Sequence, residues 1–203
     1  MTKQEFAFRL QNACAAVTAA EQELTEIDSR FGDADHGLTM RKIAKAISAA
    51  AGESEGGIQA MLDDAATAVM SLNGGSAVPL WNTWLDGLQE EAPEGEEIDV
   101  AGLKVIFAKA LEELEDMSGA KVGDKTMMDA LIPAVEAIQA CPSDDIKEIL
   151  EAGAKAALAG AASTVEMKAN FGRARNYGER SVGYADSGAT SWSCMFESFA
   201  QAL

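Results

Sequence analysis

The chain has 203 residues, of which 33 are acidic and 16 basic, so its formal net charge at neutral pH is −17. A chain of this length is expected to form a single domain over residues 1–203 with its own hydrophobic core. The negative charge disfavours binding to nucleic acid or to an anionic membrane. No run of about 18 apolar residues exists, so no membrane span is expected, and the first residues lack the apolar h-region of a secretory signal. Three widely spaced cysteines without a CxxC pair favour free thiols and a cytoplasmic location.

Helical periodicity runs through most of the chain, whereas the alternating pattern of strands is hard to find. The first predicted helix opens with the capping box Thr2-x-x-Glu5 and continues to Ile27. Asp99 is expected to cap the fifth helix, and Ser143-Asp144 the seventh. Short loops favour antiparallel neighbours, so the predicted fold class is all-α, an eight-helix antiparallel up-and-down bundle or barrel. The other helices are expected at about 38–51, 58–72, 76–88, 99–114, 126–140, 143–168 and 188–202.

In such an array, the loops after the first, third, fifth and seventh helices lie at the same end. These loops read SRFGDADHG, NGGSA, SGAKVGDK and FGRARNYGERSVGYADSG, whereas the opposite end receives plain acidic turns. The glycines, the clustered aspartates, the one histidine and several arginines are therefore expected to converge. The last of these loops is long and lacks periodicity, which favours a functional role.

Three carboxylates, those of Asp28, Asp33 and Asp35, lie within eight positions around a glycine turn. Mg²⁺ prefers oxygen ligands and usually keeps water and substrate phosphate in its shell, so the cluster is a candidate site for one or two such ions. The alternative is a solvated turn in which Asp35 merely caps the second helix. The pattern does not match an EF-hand, and one histidine without a nearby cysteine disfavours zinc.

The segment Asn73-Gly74-Gly75-Ser76 precedes the fourth predicted helix. Its glycines would allow backbone N–H groups to approach an anion at the helix N-terminus, although a simple helix–helix turn is the better explanation of this segment taken alone.

Arginines in the last loop are unusual in a chain with so few positive charges. Arg173, Arg175 and Arg180 could bind phosphate, or could instead form structural ion pairs with Asp186 or Glu179. Metal ligands, a glycine turn and arginines around one anion together favour phosphoryl transfer, which depends on positioning and charge neutralisation.

The motifs, taken together and in order, resemble those of the nucleotide-binding L subunit of dihydroxyacetone kinases, the DhaL type. The resemblance extends over nearly the whole chain. The segments that carry it are Ile27-Asp28, GDADHG at 32–37, Asn73-Gly74-Gly75, GDKTM at 123–127, Gly172-Arg173-Ala174, GERS at 178–181 and DSGATS at 186–191.

The resemblance implies an eight-helix barrel that binds ADP or ATP together with two Mg²⁺ ions on Asp28, Asp33 and Asp35. Arg173 would stabilise the charge on the transferred phosphoryl group, and Gly74 and Gly75 would cradle the nucleotide. The other implied nucleotide contacts are His36, Gly37, Leu38, Thr39, Ser76, Ala77, Gly119, Met127, Arg173, Asp186, Ser187 and Gly188.

In that family the ketose substrate is bound by a separate K-type subunit, so this chain is expected to transfer phosphate to a dihydroxyacetone-like ketose held by such a partner. Some relatives use ATP directly, and others keep ADP and are rephosphorylated by a phosphocarrier of the phosphotransferase system. The alternative is a non-catalytic Mg-nucleotide-binding regulatory or adaptor module.

Three segments depart from the family pattern. The usual run GGASGP is Gly74-Gly75-Ser76-Ala77-Val78-Pro79 here, which displaces the serine and replaces a glycine by valine. Ser187 replaces the usual proline, and Phe171 replaces the usual lysine. These departures affect the phosphate loop and its rim, and leave the three aspartates intact.

Overall fold

The computed structural model describes residues 1–201, and the described part of the chain is helical without named strands. The structure contains nine α-helices and two 3₁₀ segments within those residues. None of the described helices is both long and apolar enough to cross a membrane. The α-helices are α1 Lys3–Ala19, α2 Glu21–Asp28, α3 His36–Glu53, α4 Ile58–Met70, α5 Ala77–Glu90, α6 Val100–Ser118, α7 Met128–Ala140, α8 Ile146–Ser163 and α9 Ser187–Gln201.

Helix starts follow the predicted capping residues closely. The capping box of Thr2 and Glu5 is formed, with Thr2 Oγ1 accepting from the Glu5 amide at 3.2 Å. Asp99 caps α6 by accepting from the Gly102 amide at 2.8 Å. The predicted cap of the seventh helix at Ser143-Asp144 is wrong by one residue, because Asp145 accepts from the Lys147 amide and caps α8 instead.

Eight of the helices form a closed barrel. Helix α1 packs against α3, each helix from α3 to α9 packs against the next, and α9 packs back against α1. The predicted eight-helix antiparallel barrel is therefore confirmed, and α2 is an additional short helix packed against α3. Trp81 and Trp192 stack inside the barrel with ring centroids 4.0 Å apart, and Trp84 meets Trp192 edge-on at 5.2 Å. These rings fill the core below the end where α3, α5, α7 and α9 begin.

The predicted first helix is two helices, which corrects the sequence prediction. It breaks at Ala20, where the backbone leaves the helical geometry and the next helix starts without a side-chain cap. Just before the break, the Thr18 hydroxyl donates to the Cys14 carbonyl at 2.8 Å, a contact that often bends helices. The break allows α2 to take its own direction and to end at Asp28.

The predicted seventh helix also ends earlier than expected. Helix α8 stops at Ser163, and a short 3₁₀ segment, Thr164–Glu166, replaces the last predicted turn. The long final loop contains a second 3₁₀ segment, Ala174–Ser181, which was not predicted because the loop sequence lacks helical periodicity.

Glycines allow the closest helix contacts in the barrel. A Cβ added at Gly160 of α8 would lie 1.9 Å from the Asp129 carbonyl of α7, so an alanine there requires the two backbones to separate.

We predict that Gly160→Ala lowers the free energy of unfolding by about 1–3 kcal/mol, the usual cost of overpacking, in urea denaturation. The control is Gly52→Ala in α3, where the added Cβ meets only the movable Gln11 side chain. Because alanine favours helix by up to about 1 kcal/mol over glycine, Gly52→Ala should retain or raise stability. Equal losses in the two variants would contradict the close α7–α8 contact.

Candidate functional site

A cavity of about 410 Å³ opens at the end of the barrel where α3, α5, α7 and α9 begin. Its volume is in the range of small-molecule sites, about 300–1,000 Å³. The four loops predicted to share one end all contribute to its wall. The sequence-predicted residues that line it are Asp28, Asp33, Asp35, His36, Thr39, Gly75, Ser76, Ala77, Met127, Arg173, Asp186, Ser187 and Gly188.

Four predicted residues lie outside the cavity lining: Gly37, Leu38, Gly74 and Gly119. Gly37 is buried in the α2–α3 contact, where an added Cβ would lie 2.1 Å from the Glu21 carbonyl. Leu38 is 38% exposed, and Gly119 is the left-handed residue that ends α6. The neighbours Ser118 and Ala120 reach the cavity on either side of Gly119.

The aspartate cluster is held by a tightly folded turn. Asp28 ends α2, and its Oδ2 accepts from the backbone amides of Asp35 at 3.2 Å and His36 at 3.4 Å. An added Cβ on Gly32 would lie 2.1 Å from Asp28 Oδ1, so glycine is needed there. Ala34 has a φ of 62°, a left-handed conformation that costs an alanine about 1–2 kcal/mol. Such strain is often found at functional sites.

One carboxylate oxygen from each of Asp28, Asp33 and Asp35 lies within 4.8 Å of the other two. Desolvation raises the pKa of Asp35, and the adjacent carboxylate of Asp33 raises it further. The Asp35 side chain forms no cap on α3, so the alternative that it serves only as a helix cap lacks support. An all-oxygen set of this kind fits Mg²⁺ rather than a softer metal.

Arg173 lies at the cavity beside this cluster. Its Nη1 is 2.5 Å from Asp33 Oδ2, although both side chains remain largely exposed. The sequence offered Asp186 or Glu179 as structural partners for the arginines. In the structure Arg173 pairs with Asp33 instead, and Glu179 pairs with Lys168 at 3.5 Å. Arg173 is thus the arginine positioned beside the acidic cluster.

His36 is fixed by a hydrogen-bonded chain at the start of α3. The Ser191 hydroxyl donates to the Gly188 carbonyl at 2.9 Å, which leaves its oxygen to accept from His36 Nε2 at 3.1 Å. Burial lowers the pKa of His36, while the charge of Asp28 opposes that shift. The imidazole is therefore neutral at pH 7. Its hydrogen bond to Ser191 links the N-terminus of α3 to that of α9.

Helix N-termini surround the cavity, and each carries a partial positive charge of about half an elementary charge. At α9, the Asp186 carboxylate accepts from the Ala189 amide at 2.8 Å, as predicted for a cap. At α5, Ser76 makes no side-chain cap, and Gly75, Ser76 and Ala77 all line the cavity. The Val78 amide donates to the Gly75 carbonyl at 3.2 Å and Pro79 has no N–H, so the N–H groups of residues 75–77 are the ones left to face an anion.

Several aromatic residues at the cavity were missed by sequence reasoning. Trp81 and Trp192 line its inner part, and Phe31 lines its outer part. Phe31 lies between Tyr177 and Tyr184, with ring centroids 5.0 and 5.3 Å away. The helical spacing of the tryptophans suggests core packing, and no local pattern relates Phe31 to tyrosines about 150 positions later.

Comparison with known proteins identifies the family. The model of the DAK2 domain matches residues 30–201, and the chain therefore belongs to the DAK2 domain family. It is 32% identical over 193 residues to the ADP-binding subunit DhaL of the PEP-dependent dihydroxyacetone kinase of Escherichia coli K12, covering 93% of this chain and 92% of that protein. The DhaL-type resemblance drawn from the motifs is thereby confirmed.

Larger kinases also contain a similar segment. The chain is 35% identical over 181 residues to the D-erythrulose kinase of Mycolicibacterium smegmatis, covering 87% of this chain and 31% of that protein. The crystal structure of the dihydroxyacetone kinase from C. freundii in complex with AMP-PNP and Mg²⁺ matches with a TM-score of 0.74 and 24% identity, over 97% of this chain and 33% of that one. That likeness shows the fold, and the chain spans about a third of these two larger proteins.

The desolvation of Asp186, a half-buried residue of the cavity wall, generates a prediction about pH. Desolvation raises the pKa of Asp186 to about 6, against the lowering effects of the Ala189 amide and of Lys125. Between about pH 4 and pH 6 the folded state then binds more protons than the unfolded state. The contribution of this group to the free energy of unfolding therefore falls by about 2–3 kcal/mol as the pH rises through this range.

Asp186→Asn keeps a helix-capping side chain but removes the titration. In urea denaturation with EDTA, the stability of the wild type minus that of Asp186→Asn should fall between pH 4 and pH 7 and then level off. The subtraction cancels the titration of the many other carboxylates. A difference that stays constant across this range would contradict the raised pKa.

Proposed function

We propose that this chain is the nucleotide-binding subunit of a Mg²⁺-dependent dihydroxyacetone or related ketose kinase. The observation that carries the proposal is the position of three carboxylates within 4.8 Å at a cavity onto which four helix N-termini open. The family assignment supports it, because relatives are a dihydroxyacetone kinase subunit and an erythrulose kinase.

Asp28, Asp33 and Asp35 would hold Mg²⁺, with two ions expected from the family resemblance. When bound, Mg²⁺ would supply positive charge that neutralises the phosphates. The uncapped start of α5 would bind phosphate oxygens through backbone N–H groups. The other predicted cavity residues, from the starts of α3, α7 and α9, would contact the ADP or ATP.

Arg173 would act on the transferred phosphoryl group. Its guanidinium already lies beside Asp33, so a phosphoryl group near the aspartate cluster would be within reach of a rigid, permanently charged donor. Positioning and charge stabilisation of this kind supply most of the catalysis in phosphoryl transfer.

The acceptor ketose would be bound by a separate K-type subunit that docks at the cavity mouth. The rim there combines Phe171, Tyr177 and Tyr184, each at least 36% exposed, with Arg30 and Arg180 stacked on the two tyrosines. Aromatic residues and arginine are the types enriched in protein interfaces. A phosphocarrier of the phosphotransferase system would use the same rim if ADP stays bound between turnovers.

We predict that Asp35→Asn weakens Mg-ADP binding at least about tenfold in isothermal titration calorimetry, because it removes one charged oxygen ligand from the cluster. The control is Glu94→Gln in the loop between α5 and α6 at the opposite end, which changes the net charge by the same amount. Binding that is independent of Mg²⁺, or equally weakened in both variants, would contradict the metal assignment.

We predict that Arg173→Ala lowers kcat about 10²–10³-fold with dihydroxyacetone and a K-type partner, while Mg-ADP affinity changes little. The exposed Arg175, two residues away, provides the control Arg175→Ala. Full activity of Arg173→Ala would contradict its catalytic role. A wild type that binds Mg-ADP but never transfers phosphate with any K-type partner would favour the non-catalytic regulatory module instead.

A further inference from the structure

The loop that carries Arg173 is anchored at its base by a buried lysine. Lys125 is only 3% exposed, and its Nζ donates to the carbonyls of Thr164 and Tyr184. These two acceptors lie 20 residues apart in the chain, at the two ends of the segment between α8 and α9. One ammonium group therefore joins the beginning and the end of the final loop.

Other hydrogen bonds reinforce the same junction. The Gly183 amide donates to the Val165 carbonyl at 2.7 Å, and the Asp186 amide donates to Thr164 Oγ1 at 3.1 Å. The neighbouring Asp124 accepts from Asn170 through both its backbone at 3.1 Å and its side chain at 2.9 Å. The 121–126 turn thus contacts the loop at its base and at one point along its length.

The backbone of Lys125 indicates that this placement is specific. Its φ of 59° is left-handed, a conformation that residues other than glycine rarely adopt. The turn around it is fixed by the buried Asp129, which accepts from the amides of Gly123 and Thr126. A strained lysine persists where the surrounding contacts compensate for the strain.

We propose that Lys125 is a positioning residue that holds the segment 167–183 over the cavity and thereby places Arg173 and the start of α9 for the nucleotide. The role of the loop in nucleotide binding rests on the proposed function, whereas the anchoring of the loop by Lys125 does not. Arg173 would reach the aspartate cluster from a loop whose two ends are fixed by a charge-assisted donor, the stronger class of hydrogen bond.

The first test is limited trypsin digestion without nucleotide, followed by mass spectrometry. The segment offers cleavage sites at Lys168, Arg173, Arg175 and Arg180. Lys125→Met keeps a long side chain but removes both donors, so cleavage at these sites should be about tenfold faster than in the wild type. The control is Lys121→Met, which removes an exposed charge from the same turn. Equal cleavage rates in the wild type and Lys125→Met would overturn the anchoring.

The second test compares Mg-ADP affinity and kcat in the same variants. In Lys125→Met, the Mg-ADP affinity, kcat or both should fall about tenfold or more. Lys125→Arg keeps cationic donors, so it should recover part of this loss and part of the protection from trypsin. Faster cleavage with unchanged affinity and kcat would overturn the positioning role. No recovery in Lys125→Arg, with circular dichroism as in the wild type, would also count against it. A wild type that binds no nucleotide would refute the proposed function, while the digestion result would still decide the anchoring.

Discussion

The mutual repulsion of three carboxylates is the constraint around which this end of the barrel is organised. Two unit charges 4.8 Å apart repel by about 1 kcal/mol in water and by about 3–4 kcal/mol at the effective dielectric constant of a protein surface. The chain holds Asp28, Asp33 and Asp35 in this arrangement with a glycine against one carboxylate and a left-handed alanine between the other two. A cluster maintained against both repulsion and backbone strain supports the proposal that these carboxylates bind a cation.

Local compensation within the protein is incomplete. Arg173 offsets one of the three negative charges, and the N-termini of α3, α5, α7 and α9 add partial positive charges that fall off within a turn. The chain as a whole is strongly acidic, with a formal net charge of −17, and would repel a di- or triphosphate. Divalent cations at the proposed site would reverse this balance, so metal and nucleotide binding are expected to depend on each other.

The barrel explains why so much of this site could be predicted from the sequence. In an antiparallel array, every second loop lies at the same end, so counting helices places residues 28–36, 75–77, 119–127 and 171–188 together without any tertiary information. The Asp186 cap and the Thr2 capping box depend on neighbours three residues away, and they were predicted for that reason. The motif resemblance added the identity of the ligand class.

What could not be predicted depends on contacts between distant segments. The break at Ala20 adds the short helix α2 but does not change which loops lie at which end of the barrel. The four loops therefore still meet at one end, although the number of helices differs from the prediction. Gly37 has the sequence context of a nucleotide contact, but its missing Cβ accommodates the close approach of α2 to α3. The role of Lys125 is visible only where Thr164 and Tyr184 meet it, because a lysine in a polar turn ordinarily points to solvent.

The departures from the family pattern have different consequences according to where they lie. Val78, in place of a glycine, is buried, and the backbone of residues 75–77 still lines the cavity. The valine therefore alters core packing beneath residues 75–77 rather than the surface proposed to contact phosphate. Phe171, in place of a lysine, lies at the cavity and is 36% exposed, so it removes a positive charge and adds apolar area at the mouth. The backbone proposed to bind phosphate thus keeps its place at the cavity, and the change falls on the rim proposed to recognise a partner subunit.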